Sequence, residues 1–334
     1  MGEPHTQTIK LLVTDFTFTS ADRQRLIAAL GPDVLLHVQG YEALRQALAA
    51  HPETDLLCSF HPPADTLSLA PGLRWIQLPS AGADHALRDH LVRDDGPIVT
   101  TANGVHTVPI SEFVFSLLLL WAHRWPEFFA LQQAEHWPDH AQWVGLRGRE
   151  LRDATLGIIG LGAIGRQVAR LGRAFGMRLL GTRRSARAAD TDPDLDQLIP
   201  LAQLHHLLAQ SDYIVLAAPS TSDSHHLIGP AELHAMKPTA FLINISRGDL
   251  IDQDALITAL RERQIAGAGL DVFAQEPLPP ESPLWRMPNV LISPHISGAS
   301  DHYSRRFTDL YLDNIRRYRA GEPLVNVVNA QRGY

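Results

Sequence analysis

The chain has 334 residues, 45% apolar and 19% charged, with a formal net charge of −7. That length suggests about two domains, each able to bury a core, and the acidic balance argues against a nucleic-acid surface and against a polybasic membrane patch. One cysteine, Cys58, excludes an internal disulfide and fits a reducing cytoplasm; the opening MGEPHTQTIK lacks a signal-peptide core, and the longest apolar run, 113–122, is too short to span a bilayer.

Short apolar strands are expected at 10–14, 33–38, 55–60, 73–78 and 97–101, with helical spacing at 21–30 and 41–50. Strands alternating with helices imply a parallel sheet covered on both faces. No glycine fingerprint occurs in this part. The loop Pro79-Ser80-Ala81-Gly82-Ala83-Asp84 follows one of its strands. Small residues such as Ser80, Ala81 and Gly82 can turn backbone N–H groups toward an anion; an ordinary strand-to-helix turn has the same composition. A long apolar helix is expected at 108–122, opened by Pro109. The stretch 129–143, rich in tryptophan and histidine, continues as helix or loop, and its aromatics would cover a partner subunit or pack beneath the neighbouring domain.

The run TLGIIGLGAIGR, 155–166, organises the rest. An apolar strand runs into Gly160, Gly162 and Gly165, and helical spacing follows over 167–175. That is the strand, glycine turn and helix of a dinucleotide-binding unit. Gly160 permits the tight turn, Gly162 lets backbone amides approach a pyrophosphate, and Gly165 lets helix pack on strand. Further strands at 178–182, 213–218, 240–246, 266–273 and 290–294, with helices at 201–209 and 254–263, make a six-stranded doubly wound sheet. An amphipathic helix at 301–320 and a short tail at 324–328 close the chain.

Where the second strand of such a unit ends, an acidic residue would accept the ribose 2′-hydroxyl of NAD. Here the sequence is Thr182-Arg183-Arg184-Ser185. Two guanidinium groups and two hydroxyls attract a 2′-phosphate, which favours NADP while leaving NAD possible. Arg247, Glu276 and His295 each follow a late strand, and in an open α/β sheet ligands sit at those carboxyl ends. A histidine can deliver a proton near neutral pH, and a carboxylate beside it favours its protonated form. An arginine can bind a carboxylate substrate and polarise its carbonyl. The three together suit hydride addition to a 2-oxo acid. The pairs His205-His206 and His225-His226 lack a carboxylate set at ligand spacing, so no metal site is expected.

The run NISRGDLIDQDALITAL, then AGAGLDVFAQEPLPPESPLW, then NVLISPHISG, resembles the D-isomer-specific 2-hydroxyacid dehydrogenases, as do FGMRLLG and the C-terminal GEPLVNVV. The resemblance covers nearly the whole chain. It implies an α/β protein of two Rossmann-like doubly wound domains. One is a flavodoxin-like, discontinuous substrate domain of about 1–104 plus 297–334. The other, inserted at 105–296, is the NAD(P)-binding Rossmann domain, and closure of the cleft would exclude water. His295 would be the acid in reduction and the base in oxidation, Glu276 would orient it, and Arg247 would hold the substrate carboxylate and carbonyl. Ser80, Ala81 and Gly82 match the family's carboxylate-binding loop. Asp271 matches the residue that contacts the nicotinamide carboxamide. Ala163 and Ile164 would give amides to the pyrophosphate. Ala218, Pro219, Ile245, Ser246, Ser297 and Gly298 would complete the cofactor contacts. Family members are usually dimers through the cofactor domain, which suits 108–145. The chain departs from the family at Arg183, where an acid is usual, and at His106, where an asparagine often precedes Thr107.

The reading that follows is reduction of glyoxylate or hydroxypyruvate with NADPH. A nucleotide-sensing interaction protein of the same fold, and a dehydrogenase of the formate or phosphite type, are the competing readings; a glutamine commonly pairs with the histidine in the formate enzymes, where this chain has Glu276.

Overall fold

The computed structural model describes residues 8–187 and 189–330, so most of the opening stretch read for a signal segment lies outside the described residues. The chain forms two compact units, one from Met1–His106 with Ala299–Tyr334 and one from Thr107–Gly298.

In the first unit β1 (Leu12–Thr14), β2 (Leu35–His37), β3 (Leu56–Cys58), β4 (Trp75–Gln77) and β5 (Ile98–Thr100) alternate with α1 (Ser20–Leu30), α2 (Tyr41–Ala50), α3 (Thr66–Leu69) and α4 (Asp84–Arg88). All strand pairs are parallel, in the order β2-β1-β3-β4-β5, the flavodoxin-like arrangement. Alternate side chains enter opposite layers, as a strand's period of two requires. Leu12, Leu56 and Trp75 pack under Phe307, Tyr311 and Ile315 of the C-terminal helix Tyr303–Ala320. Val13, Leu57 and Ile76 pack with Leu44 and Leu48 of α2. Trp75 is fully buried, and its indole N–H is satisfied by Thr100 Oγ1 at 2.7 Å.

The second unit opens with three helices, α5 (Thr107–Ala122), α6 (Trp125–Gln133) and α7 (His140–Gly145). The seven strands are β6 (Thr155–Ile159), β7 (Arg178–Arg183), β8 (Gln197–Pro200), β9 (Tyr213–Leu216), β10 (Phe241–Asn244), β11 (Gly267–Leu270) and β12 (Val290–Ile292). The helices between them are α8 (Ala163–Ala174), α9 (Leu204–Gln210), α10 (Pro230–Ala235) and α11 (Gln253–Arg261). The sheet order is β12-β11-β10-β9-β6-β7-β8, with every pair parallel. Leu156, Ile158, Val215 and Ile243 face Val114, Phe115 and Leu118 of α5. Ile159, Ile214, Leu216 and Leu242 face Leu207, Leu233, Leu256 and Leu260 of α9, α10 and α11. Among the described residues no helix is long and apolar enough to cross a membrane.

The sheet has one strand more than the six expected. β8 has only four residues and ends in a proline, between an acidic stretch and a helix, so its apolar signal is two residues long. It is an edge strand, where proline is tolerated. The stretch 129–143 resolves into parts of α6 and α7, neither of which buries a residue.

Candidate active site

The glycine turn has the geometry a pyrophosphate requires. Gly160 has φ +102°, and a Cβ there would lie 2.5 Å from the Ala218 backbone nitrogen, so the turn after β6 runs against the chain leaving β9. A Cβ on Gly165 would fall 2.0 Å from the Gly160 carbonyl, which seats α8 directly on the turn. Gly162 caps α8, is exposed, and a Cβ there would meet nothing within 4 Å. The amides of Ala163 and Ile164 belong to the first turn of a 12-residue helix, where N–H groups have no intrahelical partner and the dipole favours an anion. These residues fit a dinucleotide.

At the end of β7, Arg183 is partly buried, with Nη1 3.8 Å from Asp192 Oδ2, and Arg184 is exposed, with Nη1 3.9 Å from Asp223. Ser185 is exposed. Thr182 differs from the expectation of an attracting hydroxyl: the residue is 1% exposed and its Oγ1 is sealed without a hydrogen-bond partner. The strand runs on through Arg183, so Thr182 stays inside the sheet.

Arg247, Glu276 and His295 leave β10, β11 and β12, three neighbouring parallel strands, at the same edge. His295 Nδ1 and Glu276 Oε2 are 2.7 Å apart. Glu276 Oε1 accepts the Phe273 N–H at 2.9 Å, so the carboxylate is oriented by its own turn. With Nδ1 donating to the carboxylate, Nε2 is the ring nitrogen outside the pair; the side chain is 49% exposed. Arg247 sits in extended backbone, partly buried, and Nη1 donates to the Ser246 carbonyl at 2.8 Å.

Asp271, the residue matched to the nicotinamide carboxamide contact, already has its oxygens engaged within the protein. It is fully buried, and its oxygens accept from Ser293 Oγ at 2.6 Å, the Ile296 N–H at 2.9 Å and the Ser297 N–H at 3.0 Å. It fastens the segment that carries His295. Ser297 is buried in that arrangement, and Gly298 is half-buried. On the neighbouring strands Ile245 is buried, Ala218 is half-buried, Pro219 is exposed, and Ser246 Oγ donates to the Ala218 carbonyl.

Ser80, Ala81 and Gly82 lie in the first unit, all partly buried, after β4. Their loop is built rather than loose. Ser80 Oγ donates to the Gly82 carbonyl at 2.7 Å, the Ser80 carbonyl accepts the Ala102 N–H at 2.8 Å, and Tyr303 OH donates to the Pro79 carbonyl at 2.7 Å. His106 stacks on Tyr303 with ring centroids 5.0 Å apart. Among the described residues no group of three or more His, Cys, Asp or Glu side chains stands close enough to hold a metal ion.

Two residues that sequence reasoning passed over shape the Arg247 turn. Asn244, 1% exposed, donates to the Arg247 carbonyl at 2.8 Å and accepts the Ser246 N–H at 3.1 Å. A Cβ on Gly248 would fall 1.9 Å from the Phe273 carbonyl carbon. The Arg247 turn and the turn carrying Glu276 therefore touch backbone to backbone. A polar residue closing an apolar strand, and a glycine just past it, were the available signals.

A parallel sheet with a glycine turn at one strand end and an imidazole–carboxylate pair beside an arginine at three others defines a nicotinamide-dependent oxidoreductase. The family described as D-isomer specific 2-hydroxyacid dehydrogenase, NAD binding domain, matches residues 115–297. A glyoxylate reductase of Korarchaeum cryptofilum is 37% identical over 269 residues, 80% of each chain. A D-isomer specific 2-hydroxyacid dehydrogenase from Xanthobacter autotrophicus, solved in complex with NADPH and MES, superposes with TM-score 0.83 at 28% identity, covering 98% of this chain and 100% of that one. An NADPH-dependent glyoxylate/hydroxypyruvate reductase from Sinorhizobium meliloti, solved with NADP and sulfate, gives TM-score 0.81 at 27% identity, covering 97% and 100%. The chain belongs to the D-isomer-specific 2-hydroxyacid dehydrogenase family, and it is a 2-hydroxyacid dehydrogenase.

Proposed function

We propose that this enzyme reduces a small 2-oxo acid, glyoxylate or hydroxypyruvate, to the D-2-hydroxy acid with NADPH. The observation that carries this reading is the 2.7 Å His295–Glu276 pair on the turns after β12 and β11, with Arg247 on the turn after the next strand, β10. When bound, the reduced nicotinamide supplies the hydride. Arg247 pairs with the substrate carboxylate and polarises the adjoining carbonyl. His295, tethered through Nδ1, gives its Nε2 proton to the carbonyl oxygen as that oxygen becomes a hydroxyl. Glu276 stabilises the imidazolium and fixes the ring. In oxidation the same nitrogen takes the proton back.

Preference for NADP rests on Arg183 and Arg184 where a carboxylate would repel the 2′-phosphate. The relatives solved with NADPH and NADP support it. The enzyme works as a homodimer through its cofactor unit, a reading supported by the aromatics that α6, α7 and their connection leave exposed.

The test is a panel of small 2-oxo acids run with NADPH and NADH in parallel, read from the absorbance of the reduced cofactor. Turnover with glyoxylate or hydroxypyruvate and a higher kcat/KM for NADPH are expected. No turnover anywhere on the panel overturns the activity; equal kcat/KM with the two cofactors overturns the NADP preference alone. His295→Asn should lower kcat by about 10²–10⁴-fold.

A further inference from the structure

Thirteen residues separate the end of β7 from β8, and part of that connection bonds to Arg166 of α8. Asp192 lies on it with its side chain 2% exposed. Arg166, the residue after the third motif glycine, grips Asp192 at two points: Nη1 to Oδ1 and Nη2 to Oδ2, each 3.0 Å. The Asp194 N–H adds a third bond to Oδ1 at 3.1 Å. The same carboxylate stands 3.8 Å from Nη1 of Arg183. Arg183 Nε is buried and has no hydrogen-bond partner, so that edge of its guanidinium is not what fixes it.

We infer that Asp192 is a positioning residue for recognition of the cofactor's 2′-phosphate: held by Arg166 of the phosphate-binding helix, it sets the orientation of Arg183. This rests on the NADP reading above. A guanidinium held in place before binding loses less rotamer freedom on meeting a phosphate than one swinging in solvent. Asp192 is too deep to meet the phosphate itself, and the Arg166 fork offsets its negative charge. Arg166, Arg170 and Arg183 against Asp192 and Asp194 leave one net positive charge in the cluster. Burial alone would raise the Asp192 carboxyl, but the bonds from Arg166 and Asp194 and the charges of Arg166 and Arg183 outweigh it and hold the group below the ordinary carboxylate range. It is ionised near neutral pH.

The test titrates adenosine 2′,5′-bisphosphate and AMP into the full-length protein by calorimetry, without turnover. Wild type should bind the bisphosphate more tightly than AMP. Asp192→Asn should weaken the bisphosphate by about 5–10-fold, the worth of one ordinary hydrogen bond, and leave AMP within about twofold. Asp194→Asn, which touches Arg166 and Arg170 but is not paired with Arg183, should leave both ligands within about twofold. Should Asp192→Asn fail to fold, Arg166→Lys carries the same question, because it keeps the charge and loses the two-point grip; at least threefold weaker bisphosphate binding, beyond any change for AMP, is expected. Unchanged bisphosphate affinity, equal loss of both ligands, or the same loss in Asp194→Asn overturns the inference while the NADP reading stands. A wild type that does not distinguish the two ligands removes the NADP reading first.

Discussion

Asp271 holds His295 by the chain on both sides of it. Its carbonyl accepts the His295 N–H at 2.8 Å, and its carboxylate takes the N–H groups of the next two residues and the hydroxyl of Ser293. The histidine sits at φ +52°, a region an L-residue occupies only when its surroundings impose it. Two carboxylates thus serve one imidazole, Asp271 through the backbone and Glu276 through the ring.

Asp271→Asn keeps the shape but turns one acceptor into a donor, so Oδ1 and Oδ2 can no longer serve three donors between them. The His295 turn should loosen and the ring should lose its aim. We expect kcat for 2-oxo acid reduction to fall by about 10–100-fold, with KM for the cofactor changed far less, since the loss is one of alignment. Steady-state kinetics against both substrates checks this. A variant with wild-type kcat would show that Glu276 alone positions the histidine.

Gly248→Ala addresses the contact between the two turns. Its Cβ would sit 1.9 Å from a backbone carbon of Phe273, and backbone on both sides leaves no flexible side chain to give way. The Arg247 turn must separate from the turn carrying Glu276. A drop of about 5 °C or more in the melting temperature is expected, together with loss of activity. Asn244→Ala, which removes a brace without a clash, should cost less stability and raise KM for the 2-oxo acid. Calorimetry and kinetics on both variants separate the two effects.

The parts of this fold that announce themselves in sequence are those whose signal is local. A glycine triplet between an apolar strand and a helix fixes its own geometry, and the inner strands of both sheets stand out because they are buried on both faces. β8 did not, because an edge strand of four residues needs few apolar positions. Arg247, Glu276 and His295 could be put at strand ends by order alone, but the bond between two of them depends on β11 and β12 being neighbours. The burial of Thr182 and Asp271 was not legible, for one reason. Residue type suggests what a polar side chain can do, whereas burial decides whether anything outside can reach it. Asp192 lies nine residues beyond Arg183 and gives no hint in sequence of where its chain returns.

Acid should loosen the first unit through Asp22. This carboxylate accepts from Thr19 Oγ1 at 2.7 Å, Ser304 Oγ at 2.8 Å and Arg25 Nη1 at 3.3 Å, joining the first turn of α1 to the C-terminal helix. Burial pushes its carboxyl upward, but the hydrogen bonds from Thr19, Ser304 and Arg25 outweigh that and leave it below its ordinary value. A depressed folded-state value means the stabilisation is complete above the unfolded carboxylate value of about 4 and fades as pH falls through the folded one. Asp22→Asn should therefore melt about 2–6 °C lower than wild type near neutral pH, with the gap closing in strong acid. A gap that stays constant down to strong acid would mean the side chain acts by shape and not by charge.

Subunit association is tested at the aromatic face of the second unit. Trp137 is 85% exposed, and Trp125, Phe129 and Trp143 are each close to half exposed, although α6 and α7 bury none of their own residues. A groove of about 710 Å³ runs between these helices, lined by Phe128, Leu131, Trp137, Trp143 and Leu146. Apolar area on this scale is unfavourable in water and is found where another protein surface covers it. A second copy of the chain would bury these rings, and the protein should then run at about twice its 36.9 kDa by light scattering after gel filtration. Trp137→Glu sets a charge among apolar groups and should shift the protein toward a monomer at micromolar concentration while leaving the far-ultraviolet circular dichroism unchanged. A wild type that runs as a monomer removes the dimer, and a Trp137→Glu dimer of undiminished stability moves the interface elsewhere on the unit.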